Sequence, residues 1–184
     1  MARTLSSMMP LKTKAPNFSL PDTVSGKHVE LYTQEPAQAT VVMFLCNHCP
    51  FVKHVREELA RIGQEYQEKG VSFYAISSND VVNYPDDSPE LMSVEASDAG
   101  YTFPYLYDES QEVARAYDAQ CTPDFFLFDA ALECVYRGQL DDSRPDNGIP
   151  VTGNSLRKAL DAVLRGEGEI PEQKPSMGCN IKWK

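Results

Sequence analysis

Two short apolar runs, residues 40–45 and 71–76, are largely hydrophobic on consecutive rather than alternate positions. That pattern predicts strands buried on both faces, as at the centre of an α/β sheet. Between them Val52, Val55, Leu59, Ile62 and Tyr66 recur three and four apart, which predicts one buried helix stripe. Pro50 suits the first turn of that helix, where a missing N–H costs nothing, and Gly70 suits its end. Upstream, residues 15–20 and 28–31 flank the turn-rich stretch 21–27 and predict a β-hairpin.

Downstream, Ser88-Pro89-Glu90 reads as an N-cap, a first-turn proline and a dipole-favoured acid, opening a helix that closes at Gly100. Residues 104–108 predict a short strand, and 109–119 a helix with Val113, Ala114 and Tyr117 on one face. Residues 125–128 and 134–137 are strand-like and joined by a hairpin-length connection. Asn154 or Ser155 is expected to cap a last helix carrying Leu156, Leu160, Val163 and Leu164, stopped by Gly166. Strands alternating with helices, then an adjacent strand pair, predict an α/β fold with a mixed central sheet flanked by helices. The expected organisation is a flexible N-terminus over 1–14, one domain over 15–166 and an irregular C-terminal tail over 167–184.

Charge narrows the function classes. A formal net charge of −10 disfavours nucleic-acid and anionic-membrane partners, because phosphates would be repelled. No apolar stretch has the length of a membrane span, and residues 1–16 lack the apolar core of a secretion signal, so a cytoplasmic location is expected. Five cysteines cannot all pair within one chain, which suits reactive thiols plus passengers in a reducing compartment.

The chemistry concentrates in Cys46-Asn47-His48-Cys49, which follows the first buried strand and precedes the helix. Thiols at such a strand-to-helix junction lie where unpaired N–H groups and the helix dipole favour a thiolate. Cys46 is therefore expected to be the acidic nucleophile, with a protonated His48 adding positive charge, and Cys49 the resolving thiol one turn further in. The competing class is a metal-binding or redox-sensing protein in which Cys46, Cys49 and Cys121 hold zinc, copper(I) or an iron–sulfur cluster. A complete zinc site needs four ligands, and the chain has no second Cys-x-x-Cys and no His-x-x-x-His. The favoured reading requires neither metal nor cofactor.

A βαβ…ββα order, with Cys-x-x-Cys after the first core strand and Thr122-Pro123 before the next-to-last, resembles the thioredoxin fold. Ala15-Pro16-Asn17-Phe18-Ser19-Leu20 and the N-terminal hairpin resemble the peroxiredoxin branch, the alkyl hydroperoxide reductase/thiol-specific antioxidant class. Residues 46–54, 121–129, 136–142 and 178–183 resemble phrases of the peroxiredoxin-like thioredoxin-family proteins. The resemblance implies a thioredoxin-like fold and thiol chemistry. It makes Thr122-Pro123 the expected cis-proline motif, presenting backbone to an extended substrate beside the disulfide. Cys121 would then lie near Cys46 as a further redox thiol or a buried passenger, Cys134 in the core, and Cys179 in the tail as a mobile second resolving thiol or an unpartnered one. The implied partners are an oxidised protein, a small-molecule disulfide or a peroxide, with thioredoxin or a low-molecular-weight thiol as electron donor; a homodimer is compatible.

The chain also departs from the families it resembles. Peroxiredoxins carry Pro-x-x-x-Thr-x-x-Cys. Counted back from Cys49 those positions hold Val42 and Cys46, and from Cys46 they hold Ala39 and Met43. The peroxidatic arginine has no clear counterpart, and Leu45 with Asn47-His48 replaces the tryptophan and Gly-Pro of thioredoxin. Disulfide exchange is thus expected over efficient peroxide reduction.

Overall fold

The computed structural model describes residues 3–168, 170 and 173–184. Positions 1, 2, 169, 171 and 172, which belong to the expected N-terminal and C-terminal segments, lie outside the described residues. In chain order the elements are β1 (Arg3–Leu5), β2 (Ser19–Pro21), β3 (His28–Glu30), β4 (Ala39–Phe44), α1 (Pro50–Gln67), β5 (Val71–Ser77) and α2 (Pro89–Ala99). They continue with β6 (Tyr105–Tyr107), α3 (Glu112–Ala116), β7 (Cys121–Thr122), β8 (Asp124–Asp129), β9 (Cys134–Gly138), α4 (Asn154–Leu164) and β10 (Met177–Asn180).

The main sheet has the order β6-β5-β4-β8-β9. β4 runs parallel to β5 and antiparallel to β8, so the sheet is mixed, as expected. Because strand side chains alternate between faces, the unbroken apolar run of β4 feeds two cores. Val41 and Met43 pack with the inner stripe of α1 and with Leu156 and Leu160 of α4. Val42 and Phe44 point the other way, among Phe18, Tyr117 and Phe126. The hairpin of β2 and β3 supplies Leu20 to this second core. Glu58 of α1, buried, is paired with Arg157 of α4 at 2.8 Å and with Arg61 at 2.8 Å, so its charge is compensated where it is sealed.

Three expectations are corrected. The helix expected over 109–119 is only α3. Asp108 takes the backbone N–H of Ala114 at 3.0 Å and Gln111 adopts a left-handed φ of 65°, which makes the preceding residues a turn. Neither Asn154 nor Ser155 caps α4. Gly153, at φ 64°, holds that position, and Asp141 Oδ2 accepts from the N–H groups of Thr152 and Gly153 at 2.7 Å each. Finally, the terminal segments are not wholly irregular, because β1 and β7 flank β10 in a second, antiparallel sheet. Four residues with a central glycine carry no strand pattern of their own; pairing on both edges makes β10 a strand.

Candidate functional site

Residues 45–48 turn the chain from the end of β4 into α1, and Cys49 is the N-cap, with Pro50 in the first turn. The second cysteine therefore occupies the helix start, where the first was expected. Cys49 makes no side-chain capping bond, but the helix start, the Val52 N–H included, favours negative charge on its sulfur. Facing this turn is the Thr122–Pro123 peptide bond, which is cis. Thr122 Oγ1 lies 3.2 Å from Cys46 Sγ, and Thr122 O lies 3.3 Å from Cys49 Sγ. On the far side of Cys49, β10 delivers Cys179, with the two sulfurs 2.8 Å apart. All three thiols are closed to solvent, at 1%, 0% and 2% exposure for Cys46, Cys49 and Cys179.

Cys49 is in hydrogen-bond contact with Cys179 and electrostatically coupled to Cys46. The S–H groups of Cys179 and Cys46, then the Val52 N–H, hold its thiol well below the usual value against the opposing effect of burial. Cys46 is pushed up, first by its hydrogen bond to Cys49, then by burial and by the negative charge of Asp87. Cys179 is pushed up by the same hydrogen bond to Cys49 and by burial. These influences favour negative charge on Cys49 over Cys46, the opposite of the expected order.

Asp87 is the site residue that sequence reasoning missed. It is fully buried, and its Oδ1 accepts from the backbone N–H of Asn47 at 2.8 Å and of His48 at 3.2 Å. Its Oδ2 meets His48 Nδ1 at 2.6 Å and accepts from Asn79 Nδ2 at 2.8 Å. His48 is further held by stacking on Tyr84, with ring centroids 5.6 Å apart. Asn47 is fixed by Tyr105 OH at 3.0 Å. The two residues between the cysteines are therefore anchored on both sides. In the sequence, Asp86-Asp87 looks like two solvated loop charges; only the fold turns the second one inward.

Cys121 does not join the thiol cluster. Its Sγ contacts Pro123 O at 3.6 Å, and burial pushes its pKa up. Among the described residues, the side chains with metal-ligating atoms within 4.8 Å of one another are Cys46, His48 and Asp87, not Cys46, Cys49 and Cys121. Both Asp87 oxygens already accept from protein donors. Cys134 is buried in the second core, as expected, and His28 is exposed. Asp124, next to Pro123, is buried, and burial raises its pKa to about 7. The 141–148 loop reaches the outer side of Pro123, where Asp141, Ser143 and Arg144 line a small recess with Phe51 and His54. Among the described residues no helix is long and apolar enough to cross a membrane.

The sequence profile of the AhpC/TSA family matches residues 11–137. A crystal structure of an uncharacterised conserved protein from Geobacillus kaustophilus is 60% identical, covering all of this chain and 97% of that one with a TM-score of 0.97. A hypothetical protein from Sinorhizobium meliloti is 47% identical over 98% of each chain, with a TM-score of 0.95. A thiol:disulfide interchange protein DsbE from Chlorobium tepidum, assigned as putative, is 16% identical at a TM-score of 0.65, covering 85% of this chain and 99% of that one; it bears on the fold alone. No curated protein matches the chain significantly.

Proposed function

The chain belongs to the AhpC/TSA family of thiol-based redox proteins, and on that premise we propose that it is a thiol–disulfide oxidoreductase working through Cys46 and Cys49. The observation that carries this reading is the meeting of both sulfurs with the cis-proline turn at Thr122, at 3.2 and 3.3 Å. In the proposed cycle, Cys46 attacks one sulfur of a substrate disulfide, and its proton leaves with the departing thiol. Cys49, reacting as its thiolate, then attacks Cys46 Sγ, which closes the Cys46–Cys49 disulfide and releases the second half of the substrate. Two electrons pass from the pair to the substrate, and an external dithiol or two equivalents of a small thiol restore the reduced form.

Asp87 and His48 position the turn in this scheme. The charge that Asp87 places beside Cys46 disfavours a thiolate there. The near-complete burial of Cys46 favours one further reading, a peroxidase, because a small oxidant reaches a covered sulfur more easily than a protein disulfide does. Peroxide would then oxidise Cys46 to a sulfenic acid with loss of water or alcohol, and Cys49 would displace water to form the same disulfide.

Stopped-flow rates of the reduced protein with hydrogen peroxide and with a small model disulfide distinguish these readings. Disulfide exchange should dominate and be strongly slowed by Cys46→Ser. Peroxide should react about as fast as an ordinary thiolate, since one preorganised donor is typically worth ~10²–10³ in rate. A peroxide rate far above that, also lost in Cys46→Ser, would make the protein a peroxidase. No exchange with any disulfide, and no Cys46–Cys49 link on oxidation, would sink the thiol–disulfide reading.

A further inference from the structure

Cys179 stands where a substrate would. An extended chain recognised beside a cis-proline pairs with the strand that precedes it. Here that edge is already taken by the protein's own β10, antiparallel to β7, with Cys179 opposite Thr122 and Asn180 opposite Cys121. The approach is close enough to need a glycine at the neighbouring position. A Cβ on Gly178 would lie 1.9 Å from Thr122 O and 2.5 Å from Thr122 C, both backbone atoms that cannot yield as a side chain would. β10 is held from behind by β1, where Arg3 pairs with Cys179. The result is a buried sulfur 2.8 Å from Cys49, on a strand fixed along both edges.

Resting on the redox reading above, we propose that Cys179 is an internal exchange partner that takes over the disulfide from Cys46, so that the oxidised protein interconverts between Cys46–Cys49 and Cys49–Cys179 forms. In the step, the Cys179 sulfur attacks Cys49 Sγ of the Cys46–Cys49 disulfide. The Cys49–Cys179 bond forms as the Cys46–Cys49 bond breaks, and the electron pair leaves on Cys46, which takes up the proton given by Cys179. No electrons are gained or lost overall, and the reverse step restores the first disulfide. Cys49 can serve both partners because it shares Thr122 with Cys46 and its sulfur lies 2.8 Å from that of Cys179. The exchange frees Cys46 as a thiol while the oxidising equivalents stay stored in the protein. Cys46 can then attack a second oxidised substrate before any external reductant arrives.

The test uses the full chain. Wild type, Cys46→Ser and Cys179→Ser are equilibrated in glutathione buffers of graded redox ratio, quenched with acid, alkylated and mapped by mass spectrometry of the peptides. The expected result is both links in wild type, Cys49–Cys179 alone in Cys46→Ser, and Cys46–Cys49 alone in Cys179→Ser. If Cys46–Cys49 forms in wild type and Cys179→Ser, but Cys49–Cys179 appears at no ratio in wild type or Cys46→Ser, Cys179 is a buried passenger. The proposal then falls while the redox reading stands. If Cys179→Ser forms no Cys46–Cys49 link, the redox reading itself fails, and the exchange with it. Should Cys46→Ser not fold, the wild-type map decides alone: a Cys49–Cys179 peptide supports the exchange, and its absence across all ratios overturns it.

Discussion

Asp87 Oδ2 lies 2.6 Å from His48 Nδ1, and the same carboxylate receives the backbone N–H groups of Asn47 and His48 through Oδ1. One buried acid thus binds both residues that separate the two cysteines, from main chain and side chain together. A carboxylate within 4.8 Å of the Cys46 sulfur, yet some forty positions away in sequence, sets the shape of the turn and the electrostatics of the sulfur it presents.

Replacing this acid should have two separable effects. Asp87→Ala leaves buried donors without an acceptor, and each such group costs about 1–3 kcal/mol. Chemical denaturation of the reduced protein should show a loss in that range or above. The Cys46 thiol should also become more acidic, because a nearby negative charge that holds it up is gone. Alkylation of Cys46 against pH reports the second effect; an unchanged profile would show that Asp87 acts on the fold alone.

Asp124 makes stability depend on pH. Its folded pKa is raised from 3.8 to about 7 by burial, so between those values the folded state binds the proton that the unfolded chain has released. Unfolding free energy should therefore fall as pH rises from about 4 to about 7 and level off outside that window. At about 1.4 kcal/mol per pKa unit the change reaches on the order of 4 kcal/mol. Urea unfolding at pH 4 and pH 8 measures most of it, and Asp124→Asn should flatten the difference. An equal slope in the variant would assign the effect to another group.

Removing the sulfur of Cys179 should raise the pKa of Cys49, since the hydrogen bond from Cys179 is the largest influence holding it down. Cys179→Ala is the informative change, because serine would still donate. The pH at which Cys49 becomes alkylated, followed by peptide mapping, should move up. No movement would mean that the helix start alone keeps Cys49 ionised.

Gly178→Ala would force a methyl against the Thr122 carbonyl and push β10 off β7. Overpacking of this kind costs about 1–3 kcal/mol, and alkylation of Cys49 in the native state should accelerate. Gly166→Ala provides the comparison. There the φ of 73° is strained for alanine but the space is open, so about 1 kcal/mol should be lost with no change at the thiols.

Much of this arrangement was legible in the residue pattern, because its causes are local. The consecutive apolar positions of β4 and β5 announce burial on both faces, and the stripe from Val52 to Tyr66 announces α1. Pro50, Ser88 and Gly100 mark helix ends by their own chemistry. Thr122–Pro123 is cis, in line with the resemblance. What the pattern hides are features made by partners distant in sequence. Asp87 is indistinguishable from Asp86 until the loop folds over the thiol turn. Gly153 caps α4 because Asp141 waits for its N–H, and Met177–Asn180 becomes a strand through neighbours more than fifty residues away on one side and at the far end of the chain on the other. The acidity of the two cysteines misled for the same reason: the helix begins at Cys49, and the anion near Cys46 comes from elsewhere.

The pairing of β1, β10 and β7 also fixes when the site comes into being. Its strands are drawn from residues 3–5, 121–122 and 177–180, so it is assembled from contacts of very long sequence separation. During vectorial synthesis the β4–α1 turn with Cys46 and Cys49 emerges more than a hundred residues before β10 can cover it. For that interval the thiols are unshielded and lack the Cys179 hydrogen bond, so the reactive chemistry of the nascent chain differs from that of the finished protein. Closing the last strand is the event that converts two exposed cysteines into a covered centre in contact with a third.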